Sequence, residues 1–375
     1  MPFKKNIWLI YNVFLVLGLV YLVATAYSRW EEIKSDSAIE LAYLNRIFAS
    51  SVTSNFNQQE IMLDLLGRQI IADKSAGSIA RTQRLLDNIL QQNKSLLGFG
   101  LANLEGKITV GSSNLDLSKM PNLRQQENSR ESFTRAIQLE RMVLGRTYFL
   151  PALGDLVIPI RKGIRDADGQ LVGVMTAGIK PRELMPRLDL MGHEKADGPP
   201  YQLKIFHDRD FYYAYASGIA DKALLRQLID EPIPRQRIEM FDKSVRDQLG
   251  LSLEELRNHA HPVVFSTADN NGNMSLYSLV YLPKYRMWSC SLLPRAFLLD
   301  QLIKSVIFYL VTFLIIYALA FLMFRRIDMF EQSSRRQLVK QANQDFLTGL
   351  KNRQFLRFAE SRWINKRGRP FSVFF

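Results

Sequence analysis

The chain has 375 residues, 47% hydrophobic and 23% charged, with 20 Gly, 14 Pro, four His and one Cys. It is too apolar for disorder and too poor in Gly and Pro for a fibre, and the lone Cys290 excludes an intrachain disulfide framework and any multi-cysteine zinc site. The net charge of +13 sits at the ends: residues 325–375 carry 12 basic and 4 acidic residues but residues 7–324 carry 35 and 32, so the excess does not point to a nucleic acid partner.

Two uncharged apolar runs explain that distribution. Residues 7–27 form a run of 21, about 31 Å of helix, and residues 305–324 form a run of 20. Lys4 and Lys5 would also suit a signal peptide. However, the run exceeds the usual apolar region, and Trp30 follows in place of a small-residue cleavage site, which favours an uncleaved anchor. Lys4 and Lys5 precede the first run, and Arg325 and Arg326 follow the second. Positive flanks predict both termini in the cytoplasm and residues 28–304 outside. Lys304 can snorkel at the outer edge, and Tyr27 and Trp30 suit the interface. This is the layout of a two-pass receptor of the bacterial inner membrane.

Residues 29–71 show helical periodicity, with Leu41, Phe48, Val52, Phe56, Leu63 and Leu66 among the positions at three- and four-residue steps. A second helical pattern covers 79–92. The period then changes. Residues 97–112 read as strand, turn and strand about Asn103 to Gly106, and 155–165 and 170–180 flank the turn 166–169 (DADG). Pro181 opens a short helix. After the 198–200 break (GPP) the pattern recurs: a hairpin over 201–217, helices over 221–258 interrupted by Pro232 and Pro234, strands 262–268 and 274–282, and a last strand 286–292. The DADG turn lacks the acid a calcium loop needs, since Ala177 stands at its twelfth position. His259 and His261 read as a loop or helix end, and residues 211–213 (FYY) as packing on a strand. The expected fold class is α+β: two tandem modules on a long N-terminal helix, flanked by two transmembrane helices.

This layout resembles the double Cache sensor of bacterial receptors, with a distal module over about 72–195 and a proximal one over about 196–300. The resemblance implies PAS-like modules and a small-molecule ligand in the distal one. Amino-acid-binding members carry an arginine and aromatics, then a tyrosine and an aspartate. The matching residues here are Arg130, Phe133 and Tyr148, with Leu150 where the aspartate would stand, which argues against an amino acid. Arg130 would clamp a carboxylate, or else pair with Glu131 or Glu140 while Phe133 joins the core.

Residues 325–344 form a polar helical linker with a weak heptad. Residues 345–353 (DFLTGLKNR) then read as a helix end and turn: Gly349 breaks the pattern, Asp345 and Thr348 can cap backbone donors, and a new helix carries Phe355, Leu356 and Phe358. Residues 370–375 (PFSVFF) read as the first strand of a buried sheet.

The nine-residue stretch resembles the motif that opens GGDEF domains, the diguanylate cyclase family, matched at Asp345, Leu347, Thr348, Gly349, Leu350, Asn352 and Arg353. The resemblance implies an α/β domain from 345 onward, with Asp345 and Arg353 bracing the turn. It also implies a homodimer that makes cyclic di-GMP from two GTP with magnesium or manganese. No metal-binding aspartate after the PFSVFF strand and no GG(D/E)EF loop lies within residues 345–375, so the expectation is a chain cut early in that domain, with no catalytic residues or metal ligands of its own. A receptor with a degenerate GGDEF domain, or a cyclase joined to a phosphodiesterase, fits the same residues.

Overall fold

A computed structural model describes residues 3–73, 78–151, 154–184, 199–219, 221–269, 272–345, 348–355 and 357. The expected strand over 370–375, and Leu347, Leu356 and Phe358, lie outside them. The chain divides into two units, Glu32–Gln301 and a second made of Met1–Glu31 with Leu302–Phe375.

The larger unit begins within helix α1 (Phe3–Ala72) and continues with α2 (Ser78–Gln92). Its first sheet contains β1 (Leu96–Ala102), β2 (Ile108–Gly111), β3 (Val143–Leu144), β4 (Tyr148–Leu150), β5 (Asp155–Arg165) and β6 (Leu171–Ile179), with α3 (Glu127–Gln138) inserted after β2. The order is β2-β1-β6-β5-β3, with β4 also pairing β5. Its second sheet contains β7 (Gln202–His207), β8 (Tyr213–Ala216), β9 (Val263–Ala268), β10 (Met274–Leu282) and β11 (Met287–Pro294), in the order β8-β7-β11-β10-β9. Helices α4 (Lys222–Asp230), α5 (Arg235–Leu249) and α6 (Leu253–Leu256) are inserted after β8. Leaving β4 aside, the two sheets share one topology: second strand, first, fifth, fourth, third. Each is antiparallel throughout.

The turns were legible because their chemistry is local. At the β5–β6 hairpin the Asp166 carboxylate accepts from the backbone N–H of Asp168 and of Gln170, at 3.0 and 2.9 Å. The aromatic stretch 211–213 departs from the expected strand. Phe211 has φ +57, Tyr212 makes an isolated bridge to Pro232, and only Tyr213 enters β8.

One core runs along α1 beneath both sheets. Phe48, Val52, Phe56 and Leu63 pack with Ile158, Ile160 and Met175 of the first sheet and Ile205, Leu282 and Met287 of the second. Each of the large side chains contributes about 1.5–3 kcal/mol by leaving water. Asn45 is fully buried on the same helix. Its amide donates to Ser278 Oγ at 3.2 Å, and its Oδ1 accepts from Ser289 Oγ at 2.7 Å. Glu60, further along, accepts from the Met142 N–H at 2.8 Å and pairs with Lys162 of the first module and Lys284 of the second, at 3.4 and 2.8 Å. The modules also touch directly: Thr147 Oγ1 donates to the Ala214 carbonyl at 2.9 Å.

In the smaller unit, α1 and α7 (Arg295–Asn343) carry the two apolar runs, and both are long and apolar enough to cross a membrane. They pair antiparallel. Tyr11 packs on Phe321 and Phe324, Phe14 on Tyr317, and the Tyr317 hydroxyl donates to the Phe14 carbonyl at 2.6 Å. Gly18 makes room for that tyrosine, since a Cβ there would lie 1.8 Å from its hydroxyl.

Candidate ligand site in the distal module

Strand β5 is buried on both faces, and its alternation decides what each face meets. Ile158, Ile160 and Ile164 join the core under α1. Val157, Pro159 and Arg161 take the opposite face, where Arg161 stands beside Thr176 and Pro159 beside Gly178 on β6. Helix α3 covers part of this face. Its buried residues are Ser129, Ser132, Phe133 and Ala136, the i, i+3, i+4, i+7 stripe of an amphipathic helix. Phe133 and Ala136 complete a small core with Ala102, Val143 and Val174. The two serines meet Arg161.

Arg161 is 1% exposed. Its Nη2 donates to Ser129 Oγ at 3.0 Å and its Nη1 to Ser132 Oγ. Its Nε is buried with no hydrogen-bond partner, and among the described residues no carboxylate pairs with it. Burial pulls the guanidinium down to about 10, against an opposing contribution from the neighbouring Tyr148 phenol. The arginine remains charged at neutral pH, enclosed and without a counter-ion. Such a group costs several kcal/mol unless an anion joins it.

Beside it lies a cavity of about 40 Å³, walled by Leu97, Leu115, Leu123, Tyr148, Leu150 and Arg161 among others, with no Asp or Glu in its lining. Leu115 and Leu123 belong to the loop joining β2 to α3. Asn114 fastens that loop to the Leu97 carbonyl at 2.7 Å, and the Leu123 N–H fastens it to Gly106 at 2.9 Å. The cavity has room for little more than one water.

Of the residues expected from sequence, Tyr148 lines this cavity from β4, 9% exposed. Phe133 packs into the core behind it. Arg130 is on the outward side of α3, exposed, and lines a different cavity at the boundary of the two modules. Among the described residues it has neither Glu131 nor Glu140 as an ion-pair partner; Glu131 is held by Arg209 at 2.9 Å. Arg161 was not expected. The available signal was its parity on β5: in DLVIPIRKGIR it shares a face with Val157 and Pro159.

In the smaller unit, α7 ends at Asn343 and the 345–353 turn follows. The Asp345 carboxylate accepts from the Thr348 N–H and hydroxyl at 3.0 and 2.9 Å. Gly349 has φ +67, which favours glycine. Asn352 donates to the Ala342 carbonyl at 2.8 Å and accepts from the Phe355 N–H at 3.1 Å, tying the helix end to the next turn.

No protein-family model and no curated protein matches the chain. Solved structures do match in fold. The extracellular domain of soHK1S-Z6, described as a histidine kinase, superposes with TM-score 0.52 at 15% identity, over 72% of this chain and 99% of that one. The extracellular domain of rpHK1S-Z16, also described as a histidine kinase, gives 0.50 at 13% identity, over 69% and 95%. The ligand-binding domain of the Pseudomonas aeruginosa chemoreceptor PctB, in complex with L-Arg, superposes less closely, at 0.46 and 18% identity over 69% and 95%. The larger unit therefore shares its α+β fold with these two extracellular domains.

Proposed function

We propose that the chain is the sensing and coupling portion of a bacterial transmembrane receptor, and that its distal module binds a small aliphatic carboxylate through Arg161. The observation that carries this is a buried guanidinium, unpaired by any described carboxylate and with an unpartnered Nε, in a residue that lines an apolar cavity. A carboxylate there would accept a charge-assisted hydrogen bond and supply the missing counter-charge. The apolar walls suit a short alkyl chain. Leu150 and the absence of an acid from the lining leave an ammonium group unmatched, so acetate, propionate and similar acids fit better than amino acids. A ligand of about five heavy atoms has a ceiling near 7.5 kcal/mol, which corresponds to micromolar affinity.

The cavity of about 40 Å³ is smaller than such a ligand, so binding selects a state in which the 112–126 loop has moved outward. That differential affinity is what makes the site a switch. The signal passes along the chain into α7, which starts directly after β11. We assign the output to cyclic di-GMP synthesis, on the residues 345–353 alone: a homodimer of complete GGDEF domains would condense two GTP with magnesium or manganese. In this reading the spans lie in the bacterial inner membrane with both termini cytoplasmic and the sensor outside, following the positive flanks.

The test of the ligand is a thermal-shift screen of short carboxylates on the detergent-solubilised chain, with Arg161→Gln in parallel. At least one acid should raise the wild-type transition and leave the variant unmoved. A screen in which amines or sugars act, or in which the variant responds like wild type, would count against it. The output is tested by reading the gene past codon 375, where a metal-binding aspartate and a GG(D/E)EF loop should follow.

A further inference from the structure

A second cavity, of about 230 Å³, lies where the two modules meet. Its walls are α3 and residues 144–146 of the distal module, and the β7–β8 and β10–β11 turns of the proximal one. The volume corresponds to roughly seven waters. Five arginines line it against three carboxylates. Two of the acids are already engaged: Asp210 Oδ2 accepts from Arg146 Nε at 2.7 Å, and Glu131 lies between Arg209 and Arg135, at 2.9 and 3.7 Å. Arg135 is half-buried, and besides that burial it is opposed by the like charges of Arg209, Arg286 and Arg141. Two further atoms on the lining residues have no hydrogen-bond partner although both are inaccessible to solvent: His207 Nε2 and Asp210 Oδ1. Burial lowers the affinity of His207 for a proton.

These features specify a ligand. The excess of arginine calls for negative charge, and planar guanidinium groups favour oxyanions. We propose that this junction is a second binding site, for a small doubly charged oxyanion: hydrogen phosphate or a dicarboxylate. Contacts from both walls would make the ligand a clamp between the modules. Helix α3 separates the two sites, with Ser132 lining the junction while its hydroxyl accepts from Arg161. The junction proposal does not rest on the carboxylate reading of Arg161.

Isothermal titration of the full chain in detergent, with inorganic phosphate and separately with malate at constant ionic strength, tests it. One equivalent of either probe should bind. Arg135→Gln and Arg286→Asn should each weaken it at least tenfold. Arg286 is exposed with φ +55, a conformation asparagine tolerates, so that variant should fold. The proposal is overturned if neither probe binds, or if both junction variants bind as wild type.

Discussion

Replacing Arg161 by methionine separates a ligand-binding arginine from a structural one. The folded protein holds this guanidinium at about 10, well below its ordinary value, because burial penalises the charged form. At 1.36 kcal/mol per tenfold change, that penalty is about 3 kcal/mol, and it is fully present at pH 7, where the group is charged in both folded and unfolded chains. Methionine removes it. Against this stand two hydrogen bonds to serine hydroxyls, each worth about 1.5 kcal/mol or somewhat more. Their loss orphans no donor: Ser129 Oγ still donates to Gln126 Oε1 at 2.9 Å, and Ser132 Oγ to the Ser129 carbonyl at 3.0 Å. The opposing effects nearly cancel, so the ligand-free variant should lie within about 1–2 kcal/mol of wild type, as apolar replacements of buried charge often do. One core spans both sheets, so the larger unit should melt as one, and Trp288, 3% exposed and bonded to Asp208, reports it by fluorescence. At roughly 2–4 °C per kcal/mol the transition should move by less than about 8 °C. The carboxylate response should vanish. A fall of 8 °C or more would mean that Arg161 carries structure, and the argument from its missing counter-ion would fail.

Three further outcomes are expected. Asn45→Ala breaks the hydrogen bonds between α1 and β10–β11 and leaves a cavity, at a cost of about 2–4 kcal/mol, read as a lower melting transition with the fold retained. The Glu60 carboxyl is held below its ordinary value: burial opposes this, but the Lys284 hydrogen bond, the Met142 N–H and Lys162 together outweigh it. Its stabilising contribution is therefore complete above the unfolded carboxyl value near 4.5 and lost as pH falls through the folded one; acid titration of stability should be shallower in Glu60→Gln than in wild type. Gly18→Leu drives a side chain into Tyr317 and should separate the apolar helices, seen as reduced cross-linking between cysteines introduced at Tyr11 and Phe324.

The sequence made the scaffold readable where local chemistry decides the structure. The hairpin over β5 and β6 is fixed by Asp166 and a terminal glycine, and α1 by apolar steps of three and four, and both signals survive in a single chain. Helix α3 was harder to see. Its buried stripe is Ser129, Ser132, Phe133 and Ala136, which offers one large apolar residue in two turns. Without that helix, neighbouring residues cannot be sorted by face: Arg130 looked like a partner of Phe133, yet it stands one step, about 100° of rotation, from the buried Ser129, and it is exposed and lines the junction cavity while Phe133 packs into the core. Arg161 was hidden for a different reason. A charged residue inside an apolar strand reads as an exposed position, and only the tertiary cover supplied by α3 makes it interior. The junction cavity could not be read at all, because its arginines and acids come from turns and helix faces far apart in sequence.

What Arg161 contacts in the ligand-bound protein decides whether it is a binding residue. A structure of the protein bound to the strongest carboxylate from the screen should place a ligand oxygen about 2.8–3.0 Å from Arg161 Nε, with the 112–126 loop displaced and the cavity enlarged. A ligand seated elsewhere, with Arg161 Nε still unpartnered and the loop unmoved, would contradict it.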